Sequence, residues 1–222
     1  MREAILAVDI GTSSCRAVLF DFKRKVIVTG RRDYPFQERR PGWMEQDARS
    51  ILRAFRESIQ QVTLNQQAKK YHVCCLILGS ALHSLLAVDG QGRPLAPLQI
   101  WGDSRARLQD FERSFNPHFL YRRTGCPFHP SYPFCKILWM REHQAGLFKK
   151  TAKFVSIKSF VLATLFKRFV EDISVASATG LLNTRSMLWD TEALALTGLN
   201  ERRLPELLSP YDTVGHLGFE RA

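Results

Sequence analysis

The stretch Asp9-Ile10-Gly11-Thr12-Ser13-Ser14-Cys15-Arg16, set between apolar runs at 4–8 and 15–21, restricts this chain more than any other part of it. Two strand-length runs parted by so few small and polar residues pair antiparallel. A third run at 26–34, after Phe22-Lys23-Arg24-Lys25, extends the pair into a meander. Asp9 places a carboxylate at the end of the first run. Gly11 then permits a tight turn whose N–H groups, with the hydroxyls of Thr12, Ser13 and Ser14, can surround an oxyanion such as a phosphate. The same residues are also ordinary hairpin-turn chemistry, so taken alone the turn supports either reading. Other nucleotide loops are absent from the sequence: there is no G-x-x-x-x-G-K-[ST], and Gly90-Gln91-Gly92 lacks the third glycine of a dinucleotide fingerprint.

Downstream, a loop at 42–46 leads to Asp47, which can cap a helix. Ala48, Ile51, Leu52, Phe55, Ile59 and Val62 recur along it at helical spacing. A buried strand is expected at 73–78, a shorter one at 85–88 before the turn Asp89-Gly90-Gln91-Gly92, and another at 98–101. Past residue 103 the pattern is mainly helical. One helix starts near Ser131 and Pro133 and runs to about Arg141, and a second covers 156–166. Short helical patches at 189–196 and 201–208 are broken by Gly198 and Pro205. Residues 210–222 carry turn signals and little core. Strands followed by helices around one mixed sheet give an α/β class, with 103–208 as a helical elaboration.

With 222 residues, of which 45% are hydrophobic and 24% charged, the chain can bury a true core, and disorder and collagen-like structure are excluded. No apolar run approaches the roughly 18 residues that span a bilayer, and residues 1–8 are interrupted by Glu3, so a soluble, unexported, cytoplasmic protein with no membrane partner is expected. Thirty-two Lys and Arg against 21 Asp and Glu leave a net charge of +11. The basic residues are scattered pairs such as Arg31-Arg32 and Lys149-Lys150, which reads as a solvated basic surface and not as a nucleic-acid module. Five cysteines without a C-x-x-C pair argue for reduced thiols. Cys15, Cys74 and Cys75, in apolar strand-like segments, are expected to be buried and inert. His72, His118, His129, His143 and His216 show no metal-ligand spacing.

At residues 9–16 the sequence resembles the FGGY carbohydrate kinases, whose first hairpin reads D-x-G-T-[ST]-S-x-[KR]. Other segments follow in that family's order: Pro41-Gly42-Trp43-Met44-Glu45-Gln46-Asp47, Ser80-Ala81-Leu82-His83-Ser84, Ile100-Trp101-Gly102-Asp103-Ser104-Arg105, then 125–136, 172–180 and Trp189-Asp190. The segment at 80–84 is most like gluconate kinases and next most like xylulose kinases. The resemblance spans nearly the whole chain and implies an actin-like, ribonuclease H-like domain. It makes residues 1–222 an FGGY N-terminal domain without the C-terminal one.

By the same resemblance ATP and Mg²⁺ are the expected cofactors. Asp9 would sit near Mg²⁺; Gly11, Thr12 and Ser13 would contact ATP phosphates, and Arg16 would add positive charge. His83, Trp101, Asp103 and Arg105 would face a sugar or sugar acid, with gluconate favoured. Each has a plainer alternative: Trp101 as strand-end packing, His83 as a hydrogen-bonded structural histidine, Asp103 as the cap of a helix over 105–111. Lys136, near a helix start, opposes the helix dipole, which fits a ligand-facing role, but a solvated lysine is the expectation. Ser174 and Thr179 are expected to be structural. In the family the aspartate that deprotonates the attacking hydroxyl lies in a G-x-x-D segment past the point matching Gly218, and Asp212 does not match it. The chain alone is therefore expected to lack turnover, and a non-catalytic sugar-binding or regulatory domain of the same fold is the alternative. A face that would meet a second domain makes self-association into a homo-oligomer an expectation too.

Overall fold

The computed structural model describes residues 1–107, 111 and 116–216. Strands β1 (Arg2–Ile10), β2 (Ser14–Asp21) and β3 (Val26–Asp33) form the expected antiparallel meander, with Ile10 opposite Cys15 and Ser14 opposite Asp33. Alternation along the strands decides what they bury: Ala4, Leu6, Val8 and Ile10 of β1 and Cys15, Ala17 and Leu19 of β2 are inside. Two short strands, β4 (Gln37–Glu38) and β5 (Met44–Gln46), pair with each other, so the loop expected at 42–46 contains a strand. Its residues Glu45 and Gln46 are polar yet buried, which hides the strand from a hydrophobicity pattern.

Helix α1 (Ala48–Thr63) starts where expected, because the Asp47 carboxylate accepts from the N–H groups of Arg49 and Ser50. Its inner face, including Ile51, Ala54, Phe55 and Val62, lies on β2 and β3. A Cβ on Gly30 of β3 would stand 2.2 Å from the Ser58 carbonyl oxygen of α1, so the absence of a side chain there sets how closely helix and sheet approach.

The chain returns as β6 (Tyr71–Ser80), parallel to β1, and the sheet order is β3-β2-β1-β6. This strand was expected to be buried. Instead it is the last strand of the sheet among the described residues; Ile77 is 53% exposed, and Cys74 and Cys75 are exposed as well. An apolar run alone does not distinguish a strand covered on both sides from one at a sheet edge. Cys15 is buried, as expected.

After β7 (Leu86–Val88) and β8 (Leu98–Gln99), which pairs with β5, the helical part begins. It comprises α2 (Pro117–Thr124), α3 (Pro133–His143) and α4 (Ala145–Lys150), β9 (Lys153–Val155) against β7, then α5 (Ile157–Phe166) capped by Ser156. The short elements β10 (Val170–Asp172), α6 (Ile173–Ser177), β11 (Leu182–Asn183), β12 (Leu188–Trp189), α7 (Thr191–Thr197) and β13 (Glu206–Leu208) follow. The helical patch expected at 201–208 is a 3₁₀ turn at Glu201–Arg203 followed by β13, which pairs parallel to β10. A helix over 105–111 is not formed at Arg105–Arg107; residues 108–110 lie outside the described residues.

Two apolar cores result among the described residues. One joins the sheet to α1 and to Phe160 and Val161 of α5. The other surrounds α3, whose residues 133–140 are all buried, Lys136 among them with no exposed surface. The solvated lysine expected at that position is thus wholly internal. Among the described residues no helix is long and apolar enough to cross a membrane.

Candidate functional site

The turn between β1 and β2 is closed by the Gly11 N–H donating to the Ser14 carbonyl at 2.9 Å. Gly11 does not have a positive φ. Its lack of a side chain matters for space, because a Cβ would lie 3.2 Å from the Ser14 oxygen and 3.9 Å from an Asp9 carboxylate oxygen. Two side chains that the sequence did not single out brace the turn from below. The Tyr34 hydroxyl donates to the Gly11 carbonyl at 2.6 Å, and Gln46 Nε2 donates to the Thr12 carbonyl at 2.7 Å. Burial raises the Tyr34 pKa, keeping its O–H a donor. Asp9 and Arg16 are exposed and directly opposite one another across the β1–β2 pair, and so share a sheet face.

The parallel pairing of β1 with β6 sets Asp9 beside Gly79 and Ile10 beside Ser80, and the Ala81 N–H continues the ladder to the Ile10 carbonyl. This brings the segment 81–84 to the same end of the sheet as the turn. A third segment reaches that end after β8: Trp101, half exposed, donates from Nε1 to Thr12 Oγ1 at 3.1 Å. Gly11, Thr12, Ala81, Leu82, Ser84 and Trp101 thus line one small, shallow cleft. A larger solvent-open groove lies between Pro35–Arg39, the start of α1 and residues 94–97, but none of the residues expected to bind ligand lines it.

His83 does not line this cleft; with Ser84, Pro133 and Thr179 it lines a separate pocket, and it has a left-handed φ of +63°, its Nδ1 2.9 Å from the Ala178 carbonyl and its ring edge-on to Tyr132. Burial lowers its pKa, against the opposing hydrogen bond to Ala178, which favours the neutral ring. Asp103 and Arg105 are placed differently. Both are buried, and the guanidinium binds both Asp103 oxygens and also Glu45, at 2.6 Å and 2.7 Å from Nη2. It also stacks 3.9 Å from the Trp43 ring. Their charges are turned inward, which departs from the expectation of groups facing a sugar. A buried cation satisfied by two carboxylates and an aromatic face instead fixes the loop that carries Trp101. Ser104 N–H to Gly42 O and Ile100 N–H to Met44 O, at 2.9 Å and 3.1 Å, tie the same loop to β5.

Among the described residues no three His, Cys, Asp or Glu side chains come together to hold a metal. A single carboxylate at the mouth of a hydroxyl-rich turn still fits Mg²⁺, which usually keeps waters and phosphate oxygens and takes one or two protein carboxylates.

Residues 4–222 match the N-terminal domain of the FGGY family of carbohydrate kinases. The chain belongs to that family. It is 32% identical to the gluconokinase of Bacillus subtilis over 100% of this chain and 43% of that protein. To the glycerol kinase of Thermococcus onnurineus it is 27% identical, over 97% of this chain and 45% of the relative. Among solved structures, gluconate kinase and ligand-bound xylulose kinase from Lactobacillus acidophilus superpose with TM-scores of 0.91 each. They are 26% and 27% identical, covering 99% and 98% of this chain and 44% of each of theirs. The chain thus spans less than half the length of these relatives. Its fold is the actin-like, ribonuclease H-like ATPase fold of the FGGY kinases, as the hairpin motif implied.

Proposed function

We infer that this chain forms the phosphate-cradling and sugar-binding half of an ATP-dependent sugar kinase, with gluconate the favoured acceptor. The observation that carries this reading is the hydrogen bond from Trp101 Nε1 to Thr12 Oγ1, which joins the anion turn and the expected sugar side in one cleft. Mg-ATP would supply the phosphoryl group and the metal's neutralising charge. Thr12, Ser13 and the turn N–H groups would hold and orient phosphate oxygens, Asp9 would hold Mg²⁺ through water, and Arg16 would add charge on the same sheet face. Trp101 would cover the apolar face of the sugar, and His83 would meet a hydroxyl. Asp103 and Arg105 would act by holding Trp101 in place. The higher identity to gluconokinase, 32% against 27% for a glycerol kinase, supports gluconate over glycerol.

By the family resemblance the general base would lie past residue 222, and a positioned base supplies typically 10²–10⁴-fold in rate. The purified chain is therefore expected to bind gluconate without ATP-dependent phosphorylation of gluconate or xylulose. Isothermal titration with gluconate, xylulose and ATP, beside a kinase assay on the same sample, tests this. Turnover that disappears in Asp9→Ala would refute the inactivity of the isolated chain. Sugar binding without any ATP binding would support the non-catalytic alternative.

A further inference from the structure

His83 holds a backbone conformation that a non-glycine residue keeps only where its surroundings over-determine it. Part of that constraint comes from a side chain with no exposed surface. Lys136, in the first turn of α3, donates from Nζ to the His83 carbonyl at 2.5 Å and to the Ile100 carbonyl at 2.7 Å. Ile100 immediately precedes Trp101, so one ammonium joins the two segments that carry the expected sugar contacts. A buried cation is costly, and packing alone would be met by an apolar side chain of the same length. What an apolar side chain does not supply is donors for two carbonyls from segments 17 residues apart in sequence.

We propose that Lys136 is a positioning residue of the sugar site: it clamps the His83 and Ile100 carbonyls and thereby fixes the segments that carry His83 and Trp101 relative to one another. The proposal deepens the functional reading above and rests on it for the identity of the ligand. The groups facing the ammonium are Asp103 and Arg105 from the Trp101 loop, His83 from the segment after β6 and Cys135 from its own helix; Glu45 of β5 reaches it only through Arg105. Burial brings Lys136 down to about 7, opposed by Asp103 and reinforced by Arg105. The clamp therefore loses its charge as pH rises through neutrality. Burial also lowers the His83 pKa, which favours its neutral ring.

The test uses the full chain with gluconate as probe, titrated from about pH 6 to about pH 9, together with carbonyl ¹³C resonances of His83 and Ile100. In wild type, affinity is expected to fall several-fold with a midpoint near 7, and both resonances are expected to follow it. Lys136→Met is expected to weaken gluconate binding about tenfold or more at the acid end, flatten the profile and move both resonances, while Mg-ATP binding stays within about twofold. Lys136→Arg, which keeps a donating cation, is expected to recover much of the loss. Unchanged gluconate affinity in Lys136→Met, or resonances that neither move on substitution nor titrate in wild type, would overturn the clamp. If wild type binds no polyol, the functional reading fails, and the resonances alone decide the clamp. If Lys136→Met does not fold, the wild-type titration and Lys136→Arg decide it.

Discussion

Glu171 is another ionisable group that this fold buries. It is 2% exposed on β10, its Oε2 accepts from the Ser156 hydroxyl, and its Oε1 has no hydrogen-bond partner among the described residues. Burial pushes its carboxyl up to about 8 from the usual 4.5. A raised carboxyl stays protonated in the folded chain at pH values where the unfolded chain has released the proton, so stability falls as pH climbs through that window. Lys136, lowered from 10.5 to about 7, acts in the opposite sense and adds stability as pH rises between those values. Glu171→Gln keeps an acceptor for Ser156 and removes the ionisation. Its melting temperature is expected to exceed that of wild type by a margin that widens by about 3–8 °C between pH 5 and pH 8. A margin that does not change with pH would contradict this account of Glu171. Neither group was legible in the sequence as internal, because lysine and glutamate are usually exposed. The available signal was context: Lys136 stands inside Phe134-Cys135-Lys136-Ile137-Leu138-Trp139-Met140, a helix apolar on every side.

Elements were legible wherever one local pattern decides them. The β1–β3 meander follows from alternation, and α1 from its cap and its helical spacing. Where burial depends on partners remote in sequence, the pattern was silent. β6 reads as a core strand yet sits at the sheet edge among the described residues, and β5 is a strand made of buried polar residues. Gly30 belongs to the same class, since nothing near it in sequence announces that the Ser58 carbonyl will lie where its Cβ would be. Gly30→Ala must push α1 off β3 or distort the strand, and a loss of about 1–3 kcal/mol is expected in urea unfolding. A variant as stable as wild type within about 0.5 kcal/mol would show that the helix–sheet spacing is not set there.

At the scale of the molecule, the order of motifs carried the family, and the parallel β1–β6 pairing explains how motifs so far apart in sequence meet. Thr12 and Trp101, 89 residues apart, touch because β1 and β6 end together and β8 delivers the Trp101 loop to the same edge. The sequence could not reveal that Asp103 and Arg105 turn inward. An aspartate two residues before an arginine reads the same whether the pair faces a ligand or a core, and only the positions of Glu45 and Trp43 decide it. The turn braces were hidden for the same reason: Tyr34 and Gln46 reach the loop only through the fold.

The proposed function has this end of the sheet hold a phosphate-bearing nucleotide and a sugar side by side. It is tested most directly by mapping ¹H–¹⁵N shifts of the intact chain on adding Mg-ATP and gluconate separately. The nucleotide is expected to move the amides of residues 9–16, and the sugar the Trp101 indole N–H together with the amides of residues 81–84. Shifts from both ligands confined to the groove near residues 94–97, or no saturable shift from either, would contradict it.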